Sequence, residues 1–311
     1  MSETRHRFLI ATLALLAIAL IGAGCGSSNN NSTTTSKSKA APTTATPGIN
    51  VAKDPKIAAE VPKSISSTGT LSVAADATYP PDEFIAPDGH TVIGMDADLA
   101  TAIAQVMGLK AEVQNITFDS IIPGLAANKY DLGMSSFTDT REREATVDFV
   151  TYLTAGTSFY VNAQGGPNIT GFADLCGQSV AVEKGTTQAA AVGAQDKKCK
   201  AAGKSAVDLQ VLPDQNAANL AISSGRAEVG AADTPVAVYI AEQSNGQFKV
   251  VGKPIPPEPY GIAMPKDNGM AQPVRGAVKA IIADGTYKKI LDHWGLQAGA
   301  ITNPQINGAV S

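Results

Sequence analysis

Hydroxyl and guanidinium side chains are concentrated in one short segment, "SSFTDTRERE". It contains the hydroxyls of Ser135, Ser136 and Thr138 within four residues, followed by Arg141 and Arg143. Both kinds of group donate hydrogen bonds to oxyanions, and the guanidinium fork can meet both oxygens of a carboxylate. The segment therefore predicts an anion site.

The two arginines of this segment cannot both serve the site. Thr140 can cap a short helix that begins at Arg141. Arg141 and Arg143 would then lie on roughly opposite faces of that helix, so only one can point into a cleft. Spacing alone does not say which one, and a solvated surface helix is the alternative for arginines flanked by glutamates.

A second candidate anion site lies in "VAVEKGTTQAA". A strand-like run ends there, Gly185 permits a tight turn, and Thr186 and Thr187 begin an alanine-rich helix. A helix N-terminus offers free amides and hydroxyls to an anion. The Gly-x4-Gly-Lys-Ser/Thr spacing of a P-loop is absent, and an ordinary capped helix is the alternative.

The elements that position these segments alternate between strand-like and helical patterns from Leu71 onward. This alternation is typical of a largely parallel sheet with helical crossovers. Such sheets bind ligands at the carboxyl ends of their strands. Residues 54–300 are too many for one such lobe. Two similar stretches, "LAANKYDLG" and "AISSGRAEVG", favour two lobes of like construction.

The N-terminal residues predict export and anchoring. The net charge of −4 and the absence of a basic patch argue against nucleic-acid binding. Residues 1–24 combine early arginines with the apolar run "FLIATLALLAIALI", which indicates a signal peptide, and "GAGC" predicts lipidation (palmitate) of Cys25. The alternative is an ordinary signal peptide with an incidental cysteine. Residues 25–53 are polar and predict a disordered tether.

Two further cysteines, Cys176 and Cys199, are present in the chain. An exported protein reaches an oxidising compartment, so this pair predicts a structural disulfide. Two unpaired buried thiols are the alternative.

Over residues 69–295 the chain resembles bacterial extracellular solute-binding proteins for polar amino acids, the capture components of ABC importers. The resemblance rests on eight motifs in order: "GTLSVAADATYPP", "DGHTVIGMDADLATAIA", "FDSIIPGLAANKYDLGMSSFTDTRERE", "DLCGQSVAVEKGTTQ", "SGRAEVGAADTP", "GQFKVVG", "YGIAMPK" and "DGTYKKILDHWG". The last four are similar to glutamine-binding members in particular.

The resemblance implies a role for each motif residue. Arg143 would hold the ligand α-carboxylate, with Arg141 turned outward, and Asp233 would pair with the ligand ammonium. Tyr79 and Phe118 would sandwich the ligand side chain. The remaining predicted ligand-binding residues are Asp76, Ser135, Ser136, Thr138, Glu183, Thr186 and Thr187.

Asp76 and Glu183 decide the predicted ligand. Acids at both positions would favour a ligand side chain that donates hydrogen bonds and would repel a second carboxylate. The expected order is arginine or lysine, then glutamine, with glutamate disfavoured. This order fails if Glu183 instead pairs with Lys184 or points to solvent.

The fold implied by the resemblance is α/β, the two-lobe periplasmic-binding-protein-like (type II) fold with a hinge and an interlobe ligand cleft. The expected divisions are lobe 1 over 54–152 and 262–300, lobe 2 over 158–256, hinges at 153–157 and 257–261, and a tail over 301–311. We expect a monomer that binds an amino acid and docks on a membrane permease, with no cofactor or metal.

Two other functions stay open at this point. One is a dehydratase of the same fold, although the chain has only His6, His90 and His293 and none lies in the site motifs. The other is a sensor subunit that reports an amino acid to a membrane receptor.

Overall fold

The computed structural model describes residues 42–311 and has a two-lobed α/β fold built on two five-stranded sheets, which confirms the predicted fold class. The strands are β1 (Thr70–Ala75), β2 (Thr78–Tyr79), β3 (Glu83–Ile85), β4 (Val92–Ile93), β5 (Lys110–Asn115), β6 (Leu132–Gly133), β7 (Val147–Ala155), β8 (Thr157–Asn162), β9 (Ser179–Glu183), β10 (Asp208–Leu212), β11 (Val229–Asp233), β12 (Phe248–Val251) and β13 (Glu258–Pro265).

Helices cover both sheets. They are α1 (Pro55–Glu60), α2 (Lys63–Ser66), α3 (Met95–Met107), α4 (Phe118–Ala126), α5 (Arg141–Glu144), α6 (Thr187–Ala201), α7 (Gln215–Ser223), α8 (Thr234–Gln243), α9 (Ala271–Ala283) and α10 (Thr286–Trp294). Two 3₁₀ turns, Phe172–Leu175 and Gln297–Gly299, complete the described elements.

The two sheets have the same design. The first has the order β5-β1-β6-β13-β7 and the second the order β10-β9-β11-β8-β12. In each sheet four strands run in the same direction, and the fourth strand in the order, β13 or β8, runs opposite and pairs antiparallel with both of its neighbours. Both sheets are therefore largely parallel, as expected, but the reversed strands β8 and β13 were not predicted. The reversal arises because β8 and β13 each enter their sheet directly from the other lobe, without the crossover helix that parallel neighbours require.

The chain passes between the lobes twice. It leaves the first sheet at Gly156, between β7 and β8, and returns between Val251 and Glu258. Gly156 is required by close approach, since a Cβ there would lie 2.1 Å from the carbonyl oxygen of Ile255 on the returning segment. The predicted hinge segment 153–157 spans the first passage, whereas 257–261 overlaps the second only at its first residue and otherwise lies in β13. The motion of these segments and the exact lobe boundaries stay predictions.

Each lobe has its own apolar interior. In the first, α3, α9 and α10 cover β1 and β13 with buried side chains that include Leu71, Leu99, Ile103, Met264 and Ile281. In the second, the strands β8, β9 and β11 bury a cluster that includes Phe159, Val180, Val182, Val192 and Val229. These interiors fix the strand ends, which carry the polar residues described below.

A disulfide joins Cys176 to Cys199, as predicted, across a sequence separation of 23 residues. It ties the end of the 3₁₀ turn Phe172–Leu175 to the last turn of α6. In the loop-entropy model a bridge of this span stabilises the folded state by about 3 kcal/mol.

Residues near the start of the described chain differ from the predicted tether. The amide of Thr46 donates to the Asp98 carboxylate at 2.7 Å, and the amide of Val51 donates to the side-chain carbonyl of Gln105 at 2.7 Å. Both Thr46 and Val51 are buried. The composition of the segment could not predict this burial, because the acceptors lie on α3, more than 50 residues away in sequence.

The predicted signal peptide, Cys25 and the first part of the predicted tether lie outside the described residues. Within residues 42–311, the helices are too short or too polar for any of them to cross a membrane.

Candidate functional site

One cavity between the lobes collects all the side chains predicted to bind ligand. About 290 Å³ of space among its lining residues is not filled by protein atoms, and this volume includes open solvent. The predicted residues that line it are Asp76, Tyr79, Phe118, Ser135, Ser136, Thr138, Arg143, Glu183, Thr186, Thr187 and Asp233. The structure therefore brings these side chains together, and their contact with a ligand stays a prediction.

Arg143 lines this cavity and is half-buried. Thr140 caps α5 by accepting a hydrogen bond from the amide of Arg143 at 3.3 Å. The cap sets the rotation of the helix, so Arg143 faces the cavity, while Arg141 is exposed. The side chain of Arg143 donates from Nη1 to the carbonyl of Thr138 (2.8 Å) and from Nη2 to that of Gly185 (2.9 Å). These two bonds use two of the five N–H donors of the guanidinium.

Aromatic rings support the Arg143 guanidinium from behind. Its central carbon lies 5.5 Å from the ring centre of Phe118 and 5.4 Å from that of Phe137, and the two rings stack on each other. Burial lowers the pKa of Arg143 to about 10, against the charges of Asp233, Glu142 and Asp139, which raise it. The group stays cationic at neutral pH in a half-buried position, where its charge is poorly screened.

The N-terminus of α6 forms the opposite wall. Gly185 adopts a φ of +82°, a left-handed conformation that turns the chain from β9 into the helix. Thr186 caps α6 by accepting from the amide of Ala189 at 3.1 Å. The hydroxyl of Thr187 lies 3.5 Å from that of Thr138 on the other lobe. This wall places helix amides and hydroxyls beside Arg143, which is the arrangement an anion needs.

Asp233 lies deeper in the cavity, at the end of β11. Its carboxylate accepts hydrogen bonds from the hydroxyl of Tyr79 (2.9 Å) and from the side-chain amide of Gln188 (3.0 Å). The same Gln188 amide donates to the Thr157 hydroxyl at 2.8 Å. Burial raises the pKa of Asp233 to about 6, although hydrogen bonds from Tyr79 and Gln188 and the charge of Arg143 lower it.

Asp76 is held at the end of β1 by three hydrogen bonds, two to its carboxylate and one from its amide. Its carboxylate accepts from the hydroxyl of Thr78 (2.7 Å) and from the amide of Phe118 (2.8 Å). Its own amide donates to the hydroxyl of Ser135 at 2.9 Å. Burial raises the pKa of Asp76, and the first two of these hydrogen bonds oppose that shift. The carboxylate is therefore fixed in orientation at the cavity wall.

Glu183 ends β9 and points into the cavity rather than to solvent. Its exposure is only 3%, and within the described chain its Oε1 atom has no hydrogen-bond partner. The neighbouring Lys184 instead pairs with Asp119 of the other lobe at 2.7 Å. Burial, followed by the charges of Asp76 and Asp214, raises the pKa of Glu183 well above its ordinary value. A cationic or protic group in the cavity would supply the donor that this oxygen lacks.

Ser135 and Ser136 line the cavity but donate to protein carboxylates. The Ser135 hydroxyl donates to Glu83 at 2.9 Å, and the Ser136 hydroxyl donates to Asp82 at 2.8 Å. The amide of Ser136 donates to Asp96 at 2.9 Å. In the structure these two hydroxyls therefore donate to buried protein carboxylates, and their predicted contact with a ligand stays a prediction.

Two residues that line the cavity, Glu83 and Gln188, were not among the predicted ligand-binding residues. Gln188 follows Thr187 on the first turn of α6, so it could have been found by extending the helix-terminus motif by one position. Glu83 is only four residues after Tyr79, in the short β2–β3 hairpin. With Glu83 included, four carboxyl groups and one guanidinium line the cavity, which favours a ligand with a net positive charge.

The raised carboxyl pKa values predict how stability depends on pH. A carboxyl group whose pKa is higher in the folded state stabilises the fold below its unfolded pKa, and that contribution is lost as pH rises through the folded pKa. For Asp233, the rise in pKa from 3.8 to about 6 corresponds to about 3 kcal/mol. Burial also raises the pKa of Asp96 to about 6 and that of Asp139 to about 7.

We therefore expect the free energy of unfolding of the ligand-free protein to fall between about pH 4 and about pH 7, the interval between the unfolded and folded pKa values of these groups. Urea denaturation at a series of pH values measures this directly. In Asp233→Asn the decrease should be smaller, since the substituted side chain does not titrate. A free energy of unfolding that rises through this window would contradict the assignment.

Comparison with known proteins gives a consistent picture. The profile of the bacterial extracellular solute-binding proteins, family 3, matches residues 71–297. The arginine-binding protein ArgT of Corynebacterium glutamicum is 34% identical over 256 residues, spanning 81% of this chain and 83% of ArgT. The ABC transporter arginine-binding protein 1 of Escherichia coli is 31% identical over 235 residues, spanning 74% of this chain and 92% of the relative.

Solved structures are similar to the chain as well. The structure of an ancestral arginine-binding protein bound to arginine superposes with a TM-score of 0.67 at 36% identity, covering 73% of this chain and 98% of the ancestral one. These named relatives are binding proteins rather than enzymes.

Proposed function

Because the chain belongs to the bacterial extracellular solute-binding proteins, family 3, we propose that it captures a cationic amino acid and delivers it to an ABC importer. L-Arginine is the first expected ligand, followed by lysine and then glutamine. The names of the similar proteins, which are arginine-binding proteins, support arginine.

The cavity matches the backbone groups of an amino acid. In the proposed complex, Arg143 and the N-terminus of α6 bind the α-carboxylate, because guanidinium and helix amides both donate to oxyanions. Asp233 accepts from the α-ammonium. The 2.9 Å bond from Tyr79 and the 3.0 Å bond from Gln188 already orient that carboxylate, so little ordering remains for binding to impose.

The observation that carries the proposed side-chain preference is the buried, unpartnered oxygen of Glu183. A buried carboxylate without donors is unfavourable, and a guanidinium offers several N–H groups in a planar fork. Asp76 lies on the facing lobe as a second acceptor. A pairing of Glu183 with Lys184 would remove the preference for a cationic ligand. In this structure Lys184 pairs with Asp119 instead, which supports the preference.

Ligand binding would also favour the closed arrangement of the lobes. Arg143 and Asp76 belong to the predicted first lobe, and Glu183 and Asp233 to the second. A ligand that contacts both sets stabilises closure through contacts that an open state lacks. The closed, loaded form is the species that the permease would recognise.

The proposal is tested by a thermal-shift screen of the twenty amino acids on the purified protein. We expect the largest increase in melting temperature with arginine, a smaller one with lysine and glutamine, and none with glutamate or aspartate. The largest stabilisation by an acidic amino acid would contradict the proposal, since four carboxyl groups line the cavity.

We further propose that Cys25 is lipidated and anchors the protein to the outer face of the cell membrane. We expect Cys25→Ser to release the protein from the membrane fraction with its ligand affinity unchanged, while the control Ser27→Ala stays in the membrane fraction. An unmodified intact mass of the wild-type protein would contradict this anchor.

A further inference from the structure

A stretch beyond the family-matched residues is tied to the site lobe. Residues 305–311, here called the clasp segment, run beside β7. The amide of Thr151 donates to the carbonyl of Gln305 (2.9 Å), and the amide of Gln305 donates back to the Thr151 hydroxyl (2.8 Å). Asn307 accepts from the amide of Phe149 at 2.8 Å and donates to its carbonyl at 3.0 Å. These bonds fix the direction of the segment.

The clasp segment then crosses onto the turn that carries Arg143. The amide of Gly308 donates to Oδ2 of Asp139 at 2.8 Å, and the amide of Ala309 donates to Glu144 at 3.1 Å. Asp139 is fully buried, and its own amide donates to the carbonyl of Pro259 at 2.8 Å. The acceptors Asp139 and Glu144 lie immediately before and after the segment Thr140–Arg143.

This turn needs support from outside. Its helix, α5, has only four residues, and so short a helix is not stable alone. Asp139 follows Thr138, whose carbonyl accepts from the Arg143 guanidinium. A shift of Asp139 would therefore move both the start of the helix and the carbonyl that orients the guanidinium.

We propose that Asp139, held by the amide of Gly308, is a positioning residue that aligns Arg143 with the ligand carboxylate. This inference rests on the proposed function, since it requires that Arg143 binds that carboxylate. The family profile ends at residue 297, so the clasp segment is a feature of this chain that the family match does not cover.

The test uses three substitutions in the full chain. Gly308→Pro removes the N–H that Asp139 accepts. Gly308→Ala keeps that N–H and adds only the Cβ, which would meet Cγ2 of Thr151 at 2.9 Å. Val310→Pro is the matched control, because Val310 is 69% exposed and, in the described chain, its amide donates no hydrogen bond.

Each variant is titrated with L-arginine and with L-argininamide, which lacks the carboxylate charge. For Gly308→Pro we expect arginine affinity to fall about tenfold, the scale of one hydrogen bond to a charged acceptor, and argininamide affinity to change less than threefold. Gly308→Ala should lose less than Gly308→Pro, and Val310→Pro should match the wild type. A general loss of stability would weaken both ligands alike.

A double substitution tests whether Gly308 acts on Arg143 through Asp139. Asp139→Ala should reproduce the selective loss of arginine affinity, and adding Gly308→Pro to it should cost little more. Equal losses for both ligands, or full additivity of the two substitutions, would overturn the positioning role. A wild-type protein that does not bind arginine would instead overturn the proposed function, so the two failures are distinguishable.

Discussion

Arg143→Ala is expected to abolish measurable binding of L-arginine, whereas Arg141→Ala should leave the Kd within about twofold of the wild-type value. The two side chains are matched, since they lie two residues apart on the four-residue helix α5. Only Arg143 lines the cavity between the lobes; Arg141 is exposed.

The size of this effect follows from the burial of the proposed charge pair. Removing one partner of a buried, hydrogen-bonded pair costs about 2–5 kcal/mol, or about thirty- to several-thousand-fold in affinity. Arg143 also donates to the carbonyls of Thr138 and Gly185 on the two lobes, so its loss weakens closure as well. Calorimetric titration of both variants measures the difference, and equal losses would show that the wrong arginine was assigned.

The second large effect is expected at Glu183. Glu183→Lys should weaken arginine and lysine binding by at least about a hundredfold and shift preference toward glutamine or acidic ligands. Charge-assisted hydrogen bonds contribute about 1.5–3 kcal/mol each, and a cation near the ligand tip adds repulsion. The tip would otherwise meet the acceptors Asp76 and Glu183 at the cavity wall.

Two further variants separate charge from shape. Glu183→Gln keeps the side-chain size and one acceptor, so it should lose less arginine affinity than Glu183→Lys. Glu242→Lys makes the same charge change at an exposed position on α8 of the same lobe and should leave the ligand order unchanged. If Glu242→Lys shifts the preference as strongly as Glu183→Lys, the effect is one of net charge and the assignment of Glu183 is wrong.

The predicted site residues each lie in a contiguous motif, and the structure brings them to one cavity. A helix starting at Arg141 implies that only one of Arg141 and Arg143 faces the site, since positions two apart face opposite sides. Spacing did not say which one, and the family resemblance pointed to Arg143. The structure places Arg143 inward through the Thr140 cap. The disulfide between Cys176 and Cys199 was similarly accessible, because only two cysteines remain after the N-terminal segment.

What the sequence did not predict depends on contacts between distant residues. Glu83 enters the cavity because Ser135, 52 residues away, donates to it. Thr46 is buried because Asp98, 52 residues away, accepts its amide. The amides of residues 308 and 309 meet acceptors more than 160 residues earlier. Neither hydrophobic periodicity nor composition reveals such long-range pairings. For this reason the sequence predicted a disordered tether at Thr46 and a tail at residues 308 and 309.

A crystal structure of the protein with L-arginine tests the central claim most directly. The account predicts the ligand carboxylate on Arg143 and the N-terminus of α6, the ammonium on Asp233, and the guanidinium between Asp76 and Glu183. In that complex Oε1 of Glu183, which has no partner among the described residues, should accept a hydrogen bond from the ligand. A ligand bound in the opposite direction, or one whose side chain leaves Glu183 without a donor, would contradict the account.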